Sequence, residues 1–427
     1  MDVTQEVVKS ELKMNIGPMP KITFCIPSKN NKRYLQWCIA SIRKNAWRKD
    51  HDIIVFVDAN NDGTIEWLEA NKETLNLRYL INPNLGTSLY GIGRAYDACV
   101  SEARTDICMI FHADMYLCPN ADMLMYTWLQ PDTVVCATRI EPPLHPEGRE
   151  KIVMNFGLWP ESDVPDGFRE QELLDFAAQI LNNQPNPSVT RGCFAPWMIY
   201  ADRMMEIGGH DPLLKSARED SDIFNRFVLH NLKLVQTRVG FVYHLTCRGG
   251  QFEHGNLSTD HNQKSEEWKK LMEQSTIDYL RKWGCLVQHD EYMHPIIKPK
   301  YDIGMFIRRC PPDFGKFVEP WVSCLYLDDE EVVKALIEHL QPTSGYDMST
   351  RIKYSKLAPN VDHDVLIITD GDKITNDMVR HITMLPLILA QDGTEPGLFA
   401  IETMTFDIRR TTNHVTELVH IDNPLFV

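Results

Sequence analysis

Three short segments carry side chains whose types and spacing suit chemistry: His112-Ala113-Asp114, the acidic run Glu219-Asp220-Ser221-Asp222, and His244 within Tyr243-His244-Leu245-Thr246. Asp114 follows an almost unbroken apolar stretch, where a carboxylate with no fellow carboxylate nearby has little structural reason to be. A divalent cation supplies a reason, because Mg²⁺ or Mn²⁺ is typically held by one or two carboxylates plus the oxygens of a diphosphate. A turn aspartate after a strand is the plain alternative. The acidic run opens a helix, and the helix dipole alone favours carboxylates there, a role that suits Asp222. Adjacent carboxylates also raise each other's pKa, which suits a general base that must accept a proton from a hydroxyl. His244 directly follows a β-prone run, so it is either a satisfied strand-end residue or a metal ligand.

The elements that must position these residues alternate. Residues 22–26 form a β-prone run stopped by Pro27-Ser28, and residues 32–47 place Leu35, Ile39 and Ile42 at helical intervals. The unit recurs: a strand at 53–57, a polar loop at 58–63, and a helix from Thr64 to about Asn71. A third strand at 77–81, a helix at 91–103 and a fourth strand at 106–112 follow. The alternation predicts a three-layer α/β/α sandwich with a mainly parallel sheet, whose ligands gather at the carboxyl ends of the strands. The loops after Ile26, Val57, Ile81 and Phe111 lie at those ends. Residues 140–190 are Pro-rich and acidic with one helix at 171–181, a pattern that suits a substrate-shaping insertion more than a core layer. Order returns at 193–200, with helices at 202–207 and 220–230, a last strand at 239–244, and a helix at 264–284 that closes the domain. Strands at 302–307, 361–369 and 400–406 and helices at 329–340 and 375–385 mark a smaller C-terminal α/β domain. The division is thus 1–20 as an amino-terminal extension, 21–295 as the main domain and 296–427 as the second.

The chain has 427 residues and a formal charge of −15, which argues against non-specific grip on nucleic acid or anionic lipid. Its 11 cysteines show no pairing or zinc spacing, no apolar run reaches membrane-span length, and the amino end lacks the order of a secretion signal, so a cytoplasmic location with reduced thiols is expected. Asn256-Leu257-Ser258 is a formal glycosylation sequon of little weight. Gly91-Ile92-Gly93 lacks the third glycine of a dinucleotide fingerprint, which excludes a Rossmann dehydrogenase. Phe306, Trp321 and Tyr326 in the second domain suit core packing, with an acceptor or dimer surface as the alternative.

Taken in order, ITFCIPSKNNKRYLQWCIASI, IIVFVDANNDGT, NLGTSLYGIGRAYDAC, ICMIFHADMYL, IGGHDPLLKSAREDSDIFNRF and VGFVYHLTCRGG resemble the successive motifs of the family 2 inverting glycosyltransferases of GT-A fold, over about residues 21–250. The resemblance implies an enzyme that moves a sugar from a nucleoside-diphosphate sugar, a UDP-sugar being favoured, to a hydroxyl of a glycan or glycoconjugate. It implies Mn²⁺ or Mg²⁺ as cofactor. Carried over by motif, Pro27, Ser28, Asn30 and Asp58 surround nucleobase and ribose, Asn84, Gly86 and Arg94 lie near base and phosphates, and His112 and Ala113 complete the donor site. Asp114 and His244 hold the metal, and Asp220 is the base with Glu219 as its neighbour. His112 stands where the family has an aspartate, so it contacts either ribose or metal, and His210 stands where an aromatic usually packs. The rival classes are a sugar nucleotidyltransferase, which wants a glycine-rich basic loop after the first strand, and a non-catalytic carbohydrate-binding protein. A homo-oligomer through the C-terminal domain is a further expectation.

Overall fold

The computed structural model describes residues 14–15, 17–183, 188–246, 248, 266–391 and 394–426. Most of the amino-terminal extension and the sequon at 256–258 therefore lie outside the described residues. The chain forms two compact units, one of residues 1–270, 289–295 and 420–427 and the other of residues 271–288 and 296–419. Most of the helix Glu266–Trp283, expected to close the first domain, thus belongs to the second unit, and the last eight residues belong to the first.

The first unit begins with β1 (Thr23–Lys29), α1 (Lys32–Asn45), β2 (Asp52–Ala59), α2 (Thr64–Asn71), β3 (Leu77–Ile81), α3 (Ile92–Ser101) and β4 (Ile107–Ile110). β1 pairs in parallel with β2 on one side and β4 on the other, and β2 pairs in parallel with β3. Strand order therefore reverses between β1 and β4, the place where an open α/β sheet leaves a crevice at its carboxyl edge. The loops carrying Pro27-Ser28 and His112-Ala113-Asp114 leave the sheet there. β1, β2 and β4 are apolar because both faces are covered, with Phe24, Ile26, Val55 and Met109 buried, while β3 at the edge is partly exposed.

Beyond β4 the sheet turns mixed. It continues with β5 (Met115–Leu117), α4 (Ala121–Tyr126), β6 (Thr133–Glu141), β7 (Lys151–Val153), α5 (Glu170–Asn183), β8 (Val189–Arg191), β9 (Trp197–Tyr200), α6 (Ala201–Glu206), α7 (Glu219–Leu229) and β10 (Lys233–His244). The path across the sheet is β3-β2-β1-β4-β9-β6-β10-β5, with β9 antiparallel to both its neighbours. β10 runs parallel to β6 and antiparallel to β5, which sets His244 opposite Met115, one residue from Asp114. That register brings together residues far apart in the chain. The 140–190 stretch is more than an excursion: Phe156, Phe168, Leu173 and Ala177 pack into one buried cluster with Tyr34, Tyr116 and Tyr243, so it supplies a core layer beside the site.

Two polar pairs hold the segment that precedes α7. Arg226 and Asp222, both fully buried, form an ion pair of 2.8 Å, and the guanidinium donates to the carbonyls of Ile207 and Gly209. Asp222 therefore belongs to the scaffold, as its place in the first turn suggested. Asp222→Ala leaves the guanidinium buried without its counter-charge and is expected to destabilise the first unit by about 3–5 kcal/mol, measured by urea unfolding at pH 7. The other pair joins His210 to Asp97, at 2.7 Å from Nδ1 and 2.9 Å from the backbone amide. His210 still packs as a ring, 5.8 Å from Tyr96 and 6.3 Å from Trp197. Gly93 admits it, since a Cβ there would lie 2.7 Å from the His210 Cβ.

In the second unit β11 (Ile303–Arg308), β12 (Cys324–Leu327), β13 (Ile352–Tyr354) and β14 (Val365–Asp370) are parallel, and β15 (Gly397–Ile401) and β16 (Met404–Ile408) add an antiparallel hairpin in the order β13-β12-β11-β14-β16-β15. The single strand expected at 400–406 is thus two strands turning at Glu402-Thr403. Phe306 and Tyr326 are buried and Trp321 packs on the core, so these aromatics make the interior rather than a surface. The ten described cysteines are unpaired, and no helix among the described residues is long and apolar enough to cross a membrane.

Candidate functional site

The site is built where β4, β6 and β10 end and β5 begins. His112, Asp114 and His244 each offer one ligand atom, and these atoms lie within 4.8 Å of one another. His244 Nε2 is 3.4 Å from Asp114 Oδ1, and His112 Nδ1 is 4.0 Å from the same oxygen. The two imidazoles meet edge to face with centroids 5.4 Å apart. The fold thus brings together both residues expected to hold a metal and adds His112 to them.

A carboxylate behind the cluster orients it. Glu141, at the end of β6, sits 2.9 Å from His244 Nδ1, leaving Nε2 facing Asp114. This is the carboxylate–histidine arrangement that fixes the tautomer of a metal-ligating imidazole. Glu141 is itself held by Arg139 at 2.8 Å and Lys151 at 3.2 Å. Burial pushes its carboxyl up, but Arg139, His244 and Lys151 outweigh that and keep it well below the usual carboxylate range. Burial likewise opposes ionisation of Asp114, yet His244, His112 and the Arg248 backbone amide hold its carboxyl far below its ordinary value. For His244, burial favours the neutral ring and the carboxylates of Asp114 and Glu141 overcome it, raising its pKa to about 9. Burial and the nearby His244 depress His112 to about 4, so its ring is neutral and free to ligate at pH 7.

These residues fit a divalent cation. One carboxylate oxygen and two imidazole nitrogens lie within reach of a single point, with a second carboxylate behind, a donor set that suits a divalent cation. A cation bound here would be held by Asp114, His244 and His112 and would replace the proton on His244 Nε2. Glu141→Gln removes the orienting charge and should weaken Mn²⁺ binding by roughly 10–100-fold, read by calorimetric titration.

The expected donor residues are spread along the same strand ends. Ser28 is buried and its hydroxyl donates to Asn31 Oδ1 at 2.7 Å, while Pro27 is half-buried. Asn30 adopts a left-handed conformation and its Oδ1 accepts from the Asn61 amide at 2.7 Å, joining the loops after β1 and β2. Asp58 accepts from Asn82 Nδ2 and the Tyr90 amide, both at 2.8 Å, so it also pins the loop after β3. Asn84 and Gly86 lie exposed in that loop. Arg94 is half-buried, its guanidinium 4.4 Å over the Tyr90 ring, which stacks on Phe56 at 4.9 Å. Ala113 is buried between the two ligand residues.

Glu219 and Asp220 open α7. Asp220 Oδ1 accepts from the Ser221 amide at 2.6 Å. One oxygen of Glu219 is buried without a hydrogen-bond partner, and burial together with the charge of Asp220 raises its pKa to about 8. Tyr34, Tyr96, Glu141, Thr246 and Arg248 were not singled out from the sequence. The run TVVCATRIE between Pro131-Asp132 and Pro142-Pro143 was the available signal for β6 and Glu141.

The carboxylate and two imidazoles stand at the carboxyl edge of the sheet where strand order reverses, the place at which open α/β sheets bind ligands. More narrowly, residues 23–193 match the model of Glycosyl transferase family 2. Abequosyltransferase RfbV of Salmonella typhimurium (strain LT2) is 31% identical over 118 residues, which make up 27% of this chain and 35% of that protein. The match thus spans about a third of the relative's length. Among solved structures, S. aureus TarS 1-349 in complex with UDP is similar at 13% identity and a TM-score of 0.34, covering 53% of this chain and 58% of that one. GalNAc-T7 with UDP, GalNAc and Mn²⁺ is similar at 14% identity and a TM-score of 0.39, covering 52% and 43%.

Proposed function

We propose that the protein is a metal-dependent, inverting glycosyltransferase that moves a sugar from a nucleoside-diphosphate sugar to a hydroxyl of a glycan or glycoconjugate. The observation that carries this reading is the convergence of Asp114 and His244 at the reversal of strand order, within a domain whose first part matches the family 2 model. The abequosyltransferase relative supports sugar transfer as the reaction class. When bound, Mn²⁺ or Mg²⁺ supplies positive charge against the departing diphosphate. Asp114, His244 and His112 would hold it, and Glu141 keeps His244 in the ligating tautomer. Pro27, Ser28, Asn30 and Asp58 face the nucleoside, with Asn84, Gly86 and Arg94 towards base and phosphates.

Glu219 keeps its proton at neutral pH, which leaves acceptance of the acceptor's proton to Asp220. A base on one side of the sugar and a leaving group on the other define a single displacement with inversion. Residues 21–295 carry this catalysis in our reading, with 140–190 shaping the acceptor side and 296–427 as an accessory domain. The test is a panel of UDP-, GDP- and dTDP-sugars scored for release of nucleoside diphosphate with Mn²⁺ and with EDTA. Metal-dependent release from one donor class is expected. Neither release nor metal-dependent binding with any donor removes the reading.

A further inference from the structure

We propose that β15, the outer strand of the second unit's sheet, pairs antiparallel with β15 of a second copy of this chain about a two-fold axis through Phe399, so that the two sheets become one. The inference stands apart from the sugar-transfer reading and concerns residues to which that reading gives no role.

Among the described residues β15 ends its sheet, hydrogen-bonded to β16 on one side only. Its sequence, Gly-Leu-Phe-Ala-Ile, holds no charge and no proline, and its register with β16 is unbroken. Leu398 is 72% exposed, Phe399 45% and Ile401 39%. Sheets ordinarily protect such an edge by shortness, charge or proline, because its open backbone groups are a template for another strand. The opposite edge of the same sheet has that protection: β13 is three residues long and carries the exposed Lys353. β15 lacks it. Glu402-Thr403 closes the hairpin with Glu402 at φ +54°, which makes Ile401 and Met404 a hydrogen-bonded pair, and Phe399 and Phe406 the next one. The N–H and C=O groups of Leu398 and Ala400 therefore point outward.

The strand is complementary to itself. About an axis at Phe399, Leu398 of each copy pairs with Ala400 of the other, so the outward N–H and C=O groups of both residues find partners and a large side chain meets a small one. The two Phe399 rings then meet in the closer, non-hydrogen-bonded position, where cross-strand aromatic pairs are favourable. Ile401 falls opposite Gly397 of the second copy, over which the Phe399 ring leans, 3.3 Å from where a Cβ would stand. Charge permits the same register. Glu402 falls opposite Pro396 and Glu395 opposite Thr403, so no carboxylate faces another, and Glu402 already accepts from Thr375 Oγ1 at 3.0 Å. Pro396, with no N–H, ends the ladder. Phe399 shares its sheet face with Phe406 and the helix Asn376–Leu389, which adds the exposed Met384 and Ile388 on that side. Any extended peptide could use the backbone groups, but the large-to-small match across the axis belongs to a second β15, and a two-fold contact asks only that one patch fit itself.

Sedimentation of the full chain over about 1–100 µM, the range in which a small interface dissociates, should show reversible passage from one chain to two. Leu398→Lys and Ala400→Pro should each weaken self-association about tenfold or more. The first sets a charge on the pairing face; the second removes one outward N–H and leaves the bonds to β16 alone. Both should melt at the wild-type temperature when dilute. Phe399→Cys should cross-link two chains under diamide, because the axis sets the two positions face to face. Ile401→Cys should not, since its two copies lie roughly 13 Å apart along the strands. The proposal is overturned if wild-type protein stays a single chain throughout, which would leave the edge to a strand of another protein. It is equally overturned if Leu398→Lys associates as tightly as wild type, or if Ile401→Cys cross-links in preference to Phe399→Cys.

Discussion

Asp114→Ala is expected to abolish Mn²⁺-dependent nucleotide binding and to lower turnover by on the order of 10³-fold, since several kcal/mol of leaving-group stabilisation go with the ion. The magnitude follows from where the carboxylate sits. Both imidazoles approach it, His244 at 3.4 Å and His112 at 4.0 Å, so its loss removes the carboxylate that the two nitrogens share. The same substitution removes the acceptor of the Arg248 amide, so Asp114→Asn is the companion variant, keeping an oxygen for that bond and the side-chain volume. Both variants should fail to bind Mn²⁺ by calorimetry, while Asp114→Asn melts near the wild-type temperature. Full turnover in either variant would remove the metal assignment.

The parallel half of the fold was legible because its physics is local. Strands buried on both faces read as apolar runs, and each ends in a polar loop, so β1 to β4 and the helices between them follow from composition and spacing. The antiparallel half was harder. β6 is interrupted by Arg139 and ends in Glu141, a charged pair that reads as a loop until Lys151 and His244 are seen to complete it. Asp114 and His244 were visible as strand-end polar residues, but their closeness depends on β10 pairing antiparallel with β5, a contact between distant segments that no local pattern encodes. The environment of Arg248 was hidden for the same reason. The bond from its amide to Asp114 Oδ2 is a property of packing, while in the sequence it is one polar residue among several after a strand. His210 shows the converse case: the substitution of imidazole for an aromatic looked like a departure, and the fold uses the ring for packing and its Nδ1 for Asp97.

Asp220→Asn should lower turnover by about 10²–10⁴-fold, the usual worth of a positioned general base, while donor affinity stays within about twofold. The asparagine keeps an oxygen to accept from the Ser221 amide, so the start of α7 is preserved and the loss reports chemistry. Glu219 provides the contrast. Burial first, and the charge of Asp220 second, raise its pKa from 4.5 to about 8, so at pH 7 it is already a neutral hydrogen-bonding group and Glu219→Gln changes little. The two proteins should then separate with pH. Because the folded-state value lies above the ordinary one, wild-type protein loses stability relative to Glu219→Gln as pH rises from about 4.5 to about 8, and the difference levels off above that. Past pH 8 Glu219 ionises and sets a second negative charge beside Asp220, so wild-type turnover should change there while that of Glu219→Gln should not. Rates measured from pH 5 to 9.5 for the three proteins decide the assignment: an inactive Glu219→Gln beside an active Asp220→Asn would exchange the two roles.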